Sequence, residues 1–501
     1  MSLDVSDPDR CYRALRSRDA RFDGLFFVAV TTTGVYCRPI CPARLPRRER
    51  CRFFAQAAEA ESAGFRACLR CRPELAPGRA AVDSVPRLLR VALRKIREGY
   101  LNEHSLDELA ARLGVTSRHL RRSMTAALGV SPIELAQTQR LALAKGLLQD
   151  SRLPLSEVAL AAGFSSLRRF NELFAARFGQ PPSQLRRASP ASTTGEALTL
   201  RLDYRPPLPF SALLSFLKGR AIPGVELIAE DTYQRSVALG EHVGWVRVQA
   251  DPERPCLRAT LSLSLSPLLP LIVSRLRTLF DLDAMPAAIF DLLHADAQLR
   301  PLVAQQPGLR VPGAFDVFET ATRAVLGQQV SVAAATTLAG RLTARWGRML
   351  PAGPPGLDRA FPTADVLAQA DVAEVAAMGL PAARARTLIE LARAVSSGRI
   401  DLAGAEPGSS EPMLTALQAL PGIGPWTAQY LAMRALHDPD AFPAGDLGLR
   451  RALGIDSAAA LTARAEAWRP FRSYAVMYLW ASHSAGGAPA APTSLKKGRK
   501  A

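Results

Sequence analysis

Four cysteines constrain this chain more than any other feature. They fall in two close pairs, Cys37-x3-Cys41 in VYCRPICPAR and Cys68-x2-Cys71 in FRACLRCRPE. This is the ligand pattern of a tetrahedral thiolate site, in which Zn2+ holds sulfur at ~2.3 Å. A cation shared by both pairs draws their segments to one point and closes a small module, residues 1–80. The first twenty residues are charged throughout and lack the apolar stretch of a secretory leader. A cytoplasmic, nucleoid-associated protein is therefore expected, and in a reducing compartment paired thiols hold metal rather than form disulfides. Spacing by itself supports a structural site only. Cys11 and Cys51 fit neither pair and read as ordinary thiols.

The chain is too long for one module: 501 residues at ~100–200 per domain imply three or four. Its net charge of +18 points to a polyanionic partner, and the excess is uneven. Met1–Arg187 carries 32 Lys/Arg against 18 Asp/Glu, the remainder 31 against 27. Nearly all the N-terminal cations are arginine, which suits bidentate phosphate contacts. The most apolar run, LSLSLSPLLPLIV (Leu261–Val273), is short and broken by Pro267 and Pro270, so no membrane partner is expected.

Downstream of the cysteines the chain repeats itself. Leu109-Ala110 with Gly114 and Ser117 recurs 49 residues later as Val158-Ala159 with Gly163 and Ser166. Each copy reads as a helix, a glycine turn and a second helix. One copy alone reads as a plain helical hairpin. Two copies whose second helices are basic point to DNA, because a reading helix must offer polar side chains to base edges. The first offers Arg118, His119, Arg121 and Arg122; the second offers Ser165, Ser166, Arg168, Arg169 and Asn171. With Arg140-Leu141, Ala144, Leu147-Leu148, Ala162-Gly163-Phe164, Phe170, Phe174, Gly179 and Pro182, the tandem resembles the AraC-family DNA-binding domain over about 85 residues. That resemblance implies two helices in successive major-groove segments. A monomer on promoter DNA, with RNA polymerase as a further partner, is expected.

The residues around the cysteines carry a resemblance of their own. RFDGLFFVAVTTTGVYCRPICPAR and CRFFAQAAEAESAGFRACLRCRPE look like the N-terminal domain of the Ada methylation-repair proteins, across almost all of Met1–Gly78. The resemblance implies that Cys37 takes a methyl group from a methylphosphotriester in DNA, with Cys41, Cys68 and Cys71 as the other zinc ligands. A zinc-bound thiol is deprotonated and stays nucleophilic at neutral pH. Methylating one of four thiolates lowers the formal charge of the site from −2 to −1 and weakens its repulsion from phosphate. Tighter DNA binding after methylation is the expected switch. Pro255-Cys256-Leu257-Arg258 is superficially like the Pro-Cys-His-Arg of a second acceptor domain. Leucine stands where the activating histidine belongs, so Cys256 reads as an unreactive thiol.

Ala188–Ala197 (ASPASTTGEA) reads as a linker, and Leu198–Leu265 as strand-rich, with strands at Leu198–Tyr204, Thr232–Leu239, Gly244–Gln249 and Leu257–Leu265. From Phe315 onward the pattern is helical. Within it, LPGIGPWTAQYLAMRAL (Leu420–Leu436) is a helix-hairpin-helix signature: Gly422 and Gly424 make a tight turn whose backbone N–H groups can hold a DNA phosphate. Asp446 follows in FPAGDLGLRRALG, and Trp480 in WRPFRSYAVMYLW. The combination resembles the HhH-GPD DNA glycosylases, most closely the 3-methyladenine DNA glycosylase II group. The likeness extends through LRLDYRPPLPF, FLKGRAIPGVE and GLRVPGAFDVFETATRAVLGQQVSVAAA, over nearly all of Leu198–Ser482.

This resemblance implies that Asp446 is the catalytic aspartate and that Trp426, Tyr430 and Trp480 line the pocket for a flipped base. Gln329 falls at the wedge position. The carbonyls of Gln418, Leu420 and Ile423 match a monovalent cation site at the hairpin. Trp426 stands where strand-cleaving relatives carry a Schiff-base lysine, so a monofunctional enzyme is expected.

The expected architecture is multidomain α+β. It comprises a small four-cysteine zinc domain (1–80), an all-α tandem helix-turn-helix domain (81–190), an antiparallel β-sheet subdomain (191–310), a helical helix-hairpin-helix glycosylase domain (311–484) and a disordered tail (485–501). The expected function is alkylation sensing, transcriptional activation and excision of alkylated bases such as 3-methyladenine. The alternative is a regulator whose glycosylase half only binds DNA.

Overall fold

The computed structural model describes residues 7–77, 87–187, 197–402 and 411–485. The expected tail, from 486 on, and residues 188–196 of the expected linker lie outside them. The architecture is multidomain α+β, with the cysteine module first, helices next, and a second sheet followed by helices.

In the cysteine module, β1 (Phe27–Val30), β2 (Val35–Cys37), β3 (Cys51–Phe54) and β4 (Arg66–Ala67) form one sheet in the order β3-β1-β2-β4. Side chains alternate across a strand, and β1 uses both faces. Phe27 and Ala29 enter the large central core, while Val28 packs against the cysteines. β2 and β4 pair in parallel, Tyr36 opposite Ala67, which sets the ends of both strands side by side.

The two repeats fold as expected. Helices Leu106–Arg112 and Ser117–Leu128 make the first, Leu155–Ala161 and Leu167–Phe178 the second, and Pro132–Asp150 joins them. Ser105 and Ser131 open their helices with reciprocal capping boxes to Glu108 and Glu134. Both turn glycines adopt positive φ, 69° at Gly114 and 87° at Gly163. At Gly163 a side chain is excluded outright, since a Cβ would lie 2.3 Å from Asn102.

The second sheet is antiparallel: β5 (Ala197–Asp203), β6 (Glu226–Ala229), β7 (Thr232–Leu239), β8 (His242–Ala250) and β9 (Cys256–Ser262), in the order β5-β9-β8-β7-β6. The edge strand β6 escapes a reading of the sequence because four residues are too few to display an alternation, and its first, Glu226, is a buried carboxylate. Helix Phe210–Lys218 lies within the stretch expected to be strand-rich, and Leu269–Leu279, Pro286–His294 and Arg300–Gln305 lie between Leu265 and Phe315, where no individual element was expected. The LSLSLS alternation stays extended only to Ser262. It then tightens into a turn at Leu263–Leu268 and a helix, because Pro267 has no N–H to give to a ladder.

The modules are not beads on a string. One core runs from Phe27, Phe54 and Phe65 through Leu141 of the joining helix and Phe170 and Phe174 of the second repeat to Leu200, Leu257, Leu261 and Phe280. Buried charge reinforces the seam. Arg38 pairs with Asp23 and, at 2.5 Å, with Asp203 at the end of β5. Asp150 accepts both Nη atoms of Arg72 at 2.8 Å and Arg201 of β5 at 3.3 Å. Arg205 is fully buried and satisfied by carbonyls from both sides, Asp23 at 2.9 Å and Asp283 at 2.8 Å.

Candidate functional site

The four cysteines converge. Cys37 ends β2, and Cys68 follows β4, donating its amide to the Tyr36 carbonyl at 2.9 Å. A turn with Cys41 N–H on the Arg38 carbonyl at 3.1 Å folds the second member of the first pair back. All four Sγ atoms lie within 4.8 Å of one another, and all four residues are buried. At this range each sulfur disfavours ionisation of its neighbours, so the four cannot all lose their protons unaided. Four thiolates coexist at this range only around a cation, and an all-sulfur tetrad selects Zn2+ over hard cations. The Arg38 amide adds a hydrogen bond to Cys71 Sγ at 3.4 Å. Cys11 and Cys51 are buried outside the tetrad. Cys256, at the start of β9, is pushed up to about 12 by burial and by Asp203 and Asp251, which disfavours a nucleophilic thiolate.

On both second helices of the repeats the side chains singled out from sequence face solvent. Arg118, His119, Arg121 and Arg122 are exposed on one, Ser165, Ser166, Arg168, Arg169 and Asn171 at or on the other. Leu120, Met124, Phe170 and Phe174 hold the opposite faces in the core.

The third centre gathers three helices: Pro425–Arg434, Leu447–Leu453 and Arg472–Ala485. Asp446 caps the second, its Oδ1 accepting the Leu449 amide at 3.0 Å. Two indoles grip the same carboxylate: Trp426 Nε1 donates to Oδ2 and Trp480 Nε1 to Oδ1, each at 3.1 Å. Trp426 stacks on Tyr430 with ring centroids 5.4 Å apart, and Tyr430 lies 6.3 Å from Trp480. A Cβ on Gly448 would come within 3.0 Å of Oδ1, a tight approach, and would touch the Trp480 ring at an ordinary 3.7 Å.

The hairpin itself is held from two sides. Gly422 has φ 89°, and a Cβ there would meet Thr387 Oγ1 at 2.2 Å. Thr387 donates to the Pro421 carbonyl at 2.8 Å. Gly424 and Pro425 open the next helix without a side-chain cap, and both are exposed. Of the three carbonyls matched to a cation, Leu420 accepts the Ile423 amide at 3.1 Å; Gln418 closes the preceding helix. Gln329 stands exposed at the loop tip with φ 56°.

Four family models match the chain. They are "Metal binding domain of Ada" at residues 10–74, "Helix-turn-helix domain" at 109–188, "AlkA N-terminal domain" at 199–316 and "HhH-GPD superfamily base excision DNA repair protein" at 322–466. The "Probable bifunctional transcriptional activator/DNA repair enzyme AlkA" of Mycobacterium tuberculosis is 42% identical over 95% of this chain and 96% of its own. The chain belongs to the family of AlkA-type bifunctional activator/DNA repair enzymes. "DNA-3-methyladenine glycosylase 2" of Escherichia coli is 38% identical over 56% of this chain and 95% of its own. The 3-methyladenine DNA-glycosylase of Archaeoglobus fulgidus shares the fold of the C-terminal half, with TM-score 0.51 and 23% identity over 57% of this chain and 98% of that one.

Several residues of this AlkA-type centre escape a reading of the sequence. Arg434 donates to the Tyr430 hydroxyl at 3.3 Å and lies 4.7 Å from the Phe216 ring, over which Arg220 sits at 3.7 Å. Burial pushes the Tyr430 phenol up, but Arg434, Arg220 and Arg323 outweigh it and hold it below its ordinary value. Gln328 ties the loop carrying Gln329 to the hairpin, donating to the Gly422 carbonyl at 2.9 Å and Thr427 Oγ1 at 3.1 Å. The i,i+4 spacing of Phe216 and Arg220 in FLKGR was the available signal. No helix among the described residues is long and apolar enough to cross a membrane.

Proposed function

We propose that this chain excises alkylated bases from double-stranded DNA, and that its N-terminal half senses methylphosphotriesters and activates transcription. The observation that carries the reading is the meeting of Asp446 with Trp426 and Trp480 beside Tyr430. A base inside a duplex must be flipped out before its glycosidic bond is reachable. An alkylated purine is cationic and is drawn to the aromatic faces by ~0.5–2 kcal/mol per contact. Asp446 stabilises the positive charge that builds on the deoxyribose and assists attack by water. The free base and an abasic site are the products. Gly422 and Gly424 hold a DNA phosphate, Gln329 fills the gap left by the base, and the carbonyls of Gln418, Leu420 and Ile423 hold a monovalent cation.

In the N-terminal half, Cys37 sulfur attacks the methyl carbon of a methylphosphotriester. The C–S bond forms as the C–O bond breaks, the phosphodiester leaves as an anion, and no proton moves. Zn2+, when bound to Cys37, Cys41, Cys68 and Cys71, keeps the thiols ionised. The site then repels phosphate less, and the exposed side chains of the two reading helices engage promoter DNA. The chain acts as a monomer that contacts RNA polymerase.

Release of 3-methyladenine or 7-methylguanine from alkylated duplex, with Asp446→Asn as control, is the deciding experiment. Release that Asp446→Asn abolishes supports the reading; no release by the intact chain leaves the alternative of a regulator with a DNA-binding platform.

A further inference from the structure

The two oxygens of Asp446 are held unequally. Oδ1 accepts two donors, the Leu449 amide at 3.0 Å and the Trp480 indole at 3.1 Å. Among the described residues Oδ2 accepts only the Trp426 indole, at 3.1 Å. From this asymmetry we propose that Trp426 and Trp480 are positioning residues for Asp446 as well as walls of the base pocket, and that Oδ2 is the oxygen that works on the substrate. The proposal rests on Asp446 being the catalytic carboxylate.

The terminal torsion of an aspartate is broad and roughly two-fold. A single capping bond holds that torsion only loosely. Two indoles on opposite oxygens remove that freedom, because an indole N–H donates and never accepts. Each carboxylate oxygen offers about two lone-pair sites. Both on Oδ1 are engaged, whereas Oδ2 keeps one for the charge developing on the sugar or for a proton of the attacking water.

The two duties of Trp426 use different parts of one ring. Its edge N–H holds Oδ2, while its face stacks on Tyr430 at an interplanar angle of 19°. Seating a base against this ring is therefore linked to the orientation of the carboxylate. Gly448 lies beside the same oxygen, where a Cβ would press on Oδ1 at 3.0 Å.

The test uses the full zinc-loaded chain and a duplex carrying one 7-methylguanine. Single-turnover release is measured for Trp426→Phe, Trp480→Phe, Asp446→Asn and the doubles with Asp446→Asn, beside affinity for a tetrahydrofuran abasic-site duplex. Phenylalanine keeps an aromatic face and loses the N–H. Trp426→Phe is expected to slow release by roughly 10- to 100-fold, the order a misplaced catalytic group costs, with affinity changed less than about twofold. It should have no further effect in Asp446→Asn. Trp480→Phe should cost less, because Oδ1 keeps the Leu449 amide.

Equal losses from Trp426→Phe in both backgrounds would mean the ring acts by stacking alone, and would overturn the positioning role. A larger loss from Trp480→Phe than from Trp426→Phe would overturn the choice of Oδ2. Wild-type release by Asp446→Asn would overturn the catalytic reading itself, and the positioning role with it. If Trp426→Phe fails to fold, benzothienylalanine at this position, with sulfur for N–H in the same bicyclic shape, gives the same comparison.

Discussion

Arg38, the residue after the first cysteine of the tetrad, reaches out of the zinc module and pairs at 2.5 Å with Asp203 at the end of β5. Both side chains are largely withdrawn from water, 5% and 16% exposed. Arg38 keeps its second partner Asp23, so losing Asp203 leaves its charge partly compensated and costs less than the ~3–5 kcal/mol of a buried ion left alone. Asp203→Ala is expected to lower the melting temperature of the whole chain. Chelation of zinc should do the same, since the tetrad's module shares a core with the second sheet. Calorimetry checks both: a C-terminal transition left unmoved by chelator would show that the halves melt independently.

Replacing Asp446 separates chemistry from folding. Asparagine caps a helix about as well as aspartate but cannot accept the Trp426 N–H with its amide nitrogen, so Asp446→Asn should lower the melting temperature modestly without unfolding the chain. It should cut single-turnover base release by ~10²-fold or more, the order lost with a preorganised charge-stabilising group. Release at the wild-type rate would remove Asp446 from the mechanism.

On the proposed reading Trp426 stands where strand-cleaving relatives carry a Schiff-base lysine. Purified protein should therefore leave an intact strand with an abasic site, cleaved only on later treatment with base. Borohydride should trap no protein–DNA adduct; a trapped adduct identified by gel shift would refute this.

Cys37→Ser should abolish methyl transfer. Mass spectrometry of the wild-type chain after incubation with methylphosphotriester DNA is expected to find one added methyl on the peptide containing Cys37. A methyl on Cys68 or Cys71 instead would reassign the nucleophile. No methyl on any cysteine would leave the tetrad purely structural.

His437 supplies a pH signature. Burial pushes its imidazole down, but Asp281, 3.1 Å from Nε2, outweighs this and raises it above 6.5. A raised folded-state value adds stability below the unfolded value, and that stability is lost as pH rises through the folded value. Its φ of 54° suits asparagine, so His437→Asn is a fair control. Wild type should exceed His437→Asn by about 1.5–3 kcal/mol at pH below the unfolded value, the range of a charged hydrogen bond. The gap should narrow as pH rises. Denaturant melts at several pH values measure it; a gap that widens with pH would show that His437 is neutral in the fold.

Much of this was legible in the sequence wherever function is written in short spacings. The cysteine pairs named a tetrad because turns of three and two residues return thiols to one point. The glycines at positions 114, 163 and 422 named turns because each takes a positive φ, and at 163 and 422 a Cβ would also collide with a neighbour. By contrast β6 and the four helices before Phe315 were not legible. A four-residue edge strand carries no period, and apolar helices beside a sheet look like more sheet. Arg434 stays hidden because nothing local distinguishes an arginine that faces an aromatic ring from one in water, whereas Phe216 and Arg220 carry only their i,i+4 spacing as a signal.

By itself the sequence determined the parts: a thiolate tetrad, two reading helices, a glycine hairpin, and an aspartate with aromatic company. These depend on residues close in the chain, whose geometry follows from backbone sterics and side-chain periodicity. Only the tertiary structure decided how the parts act on one another. Arg38 finds Asp203 165 residues away, and Trp480 finds Asp446 across 34. Such pairings follow from how whole elements pack around shared cores, and a linear pattern does not encode which buried charge or indole a given carboxylate will meet.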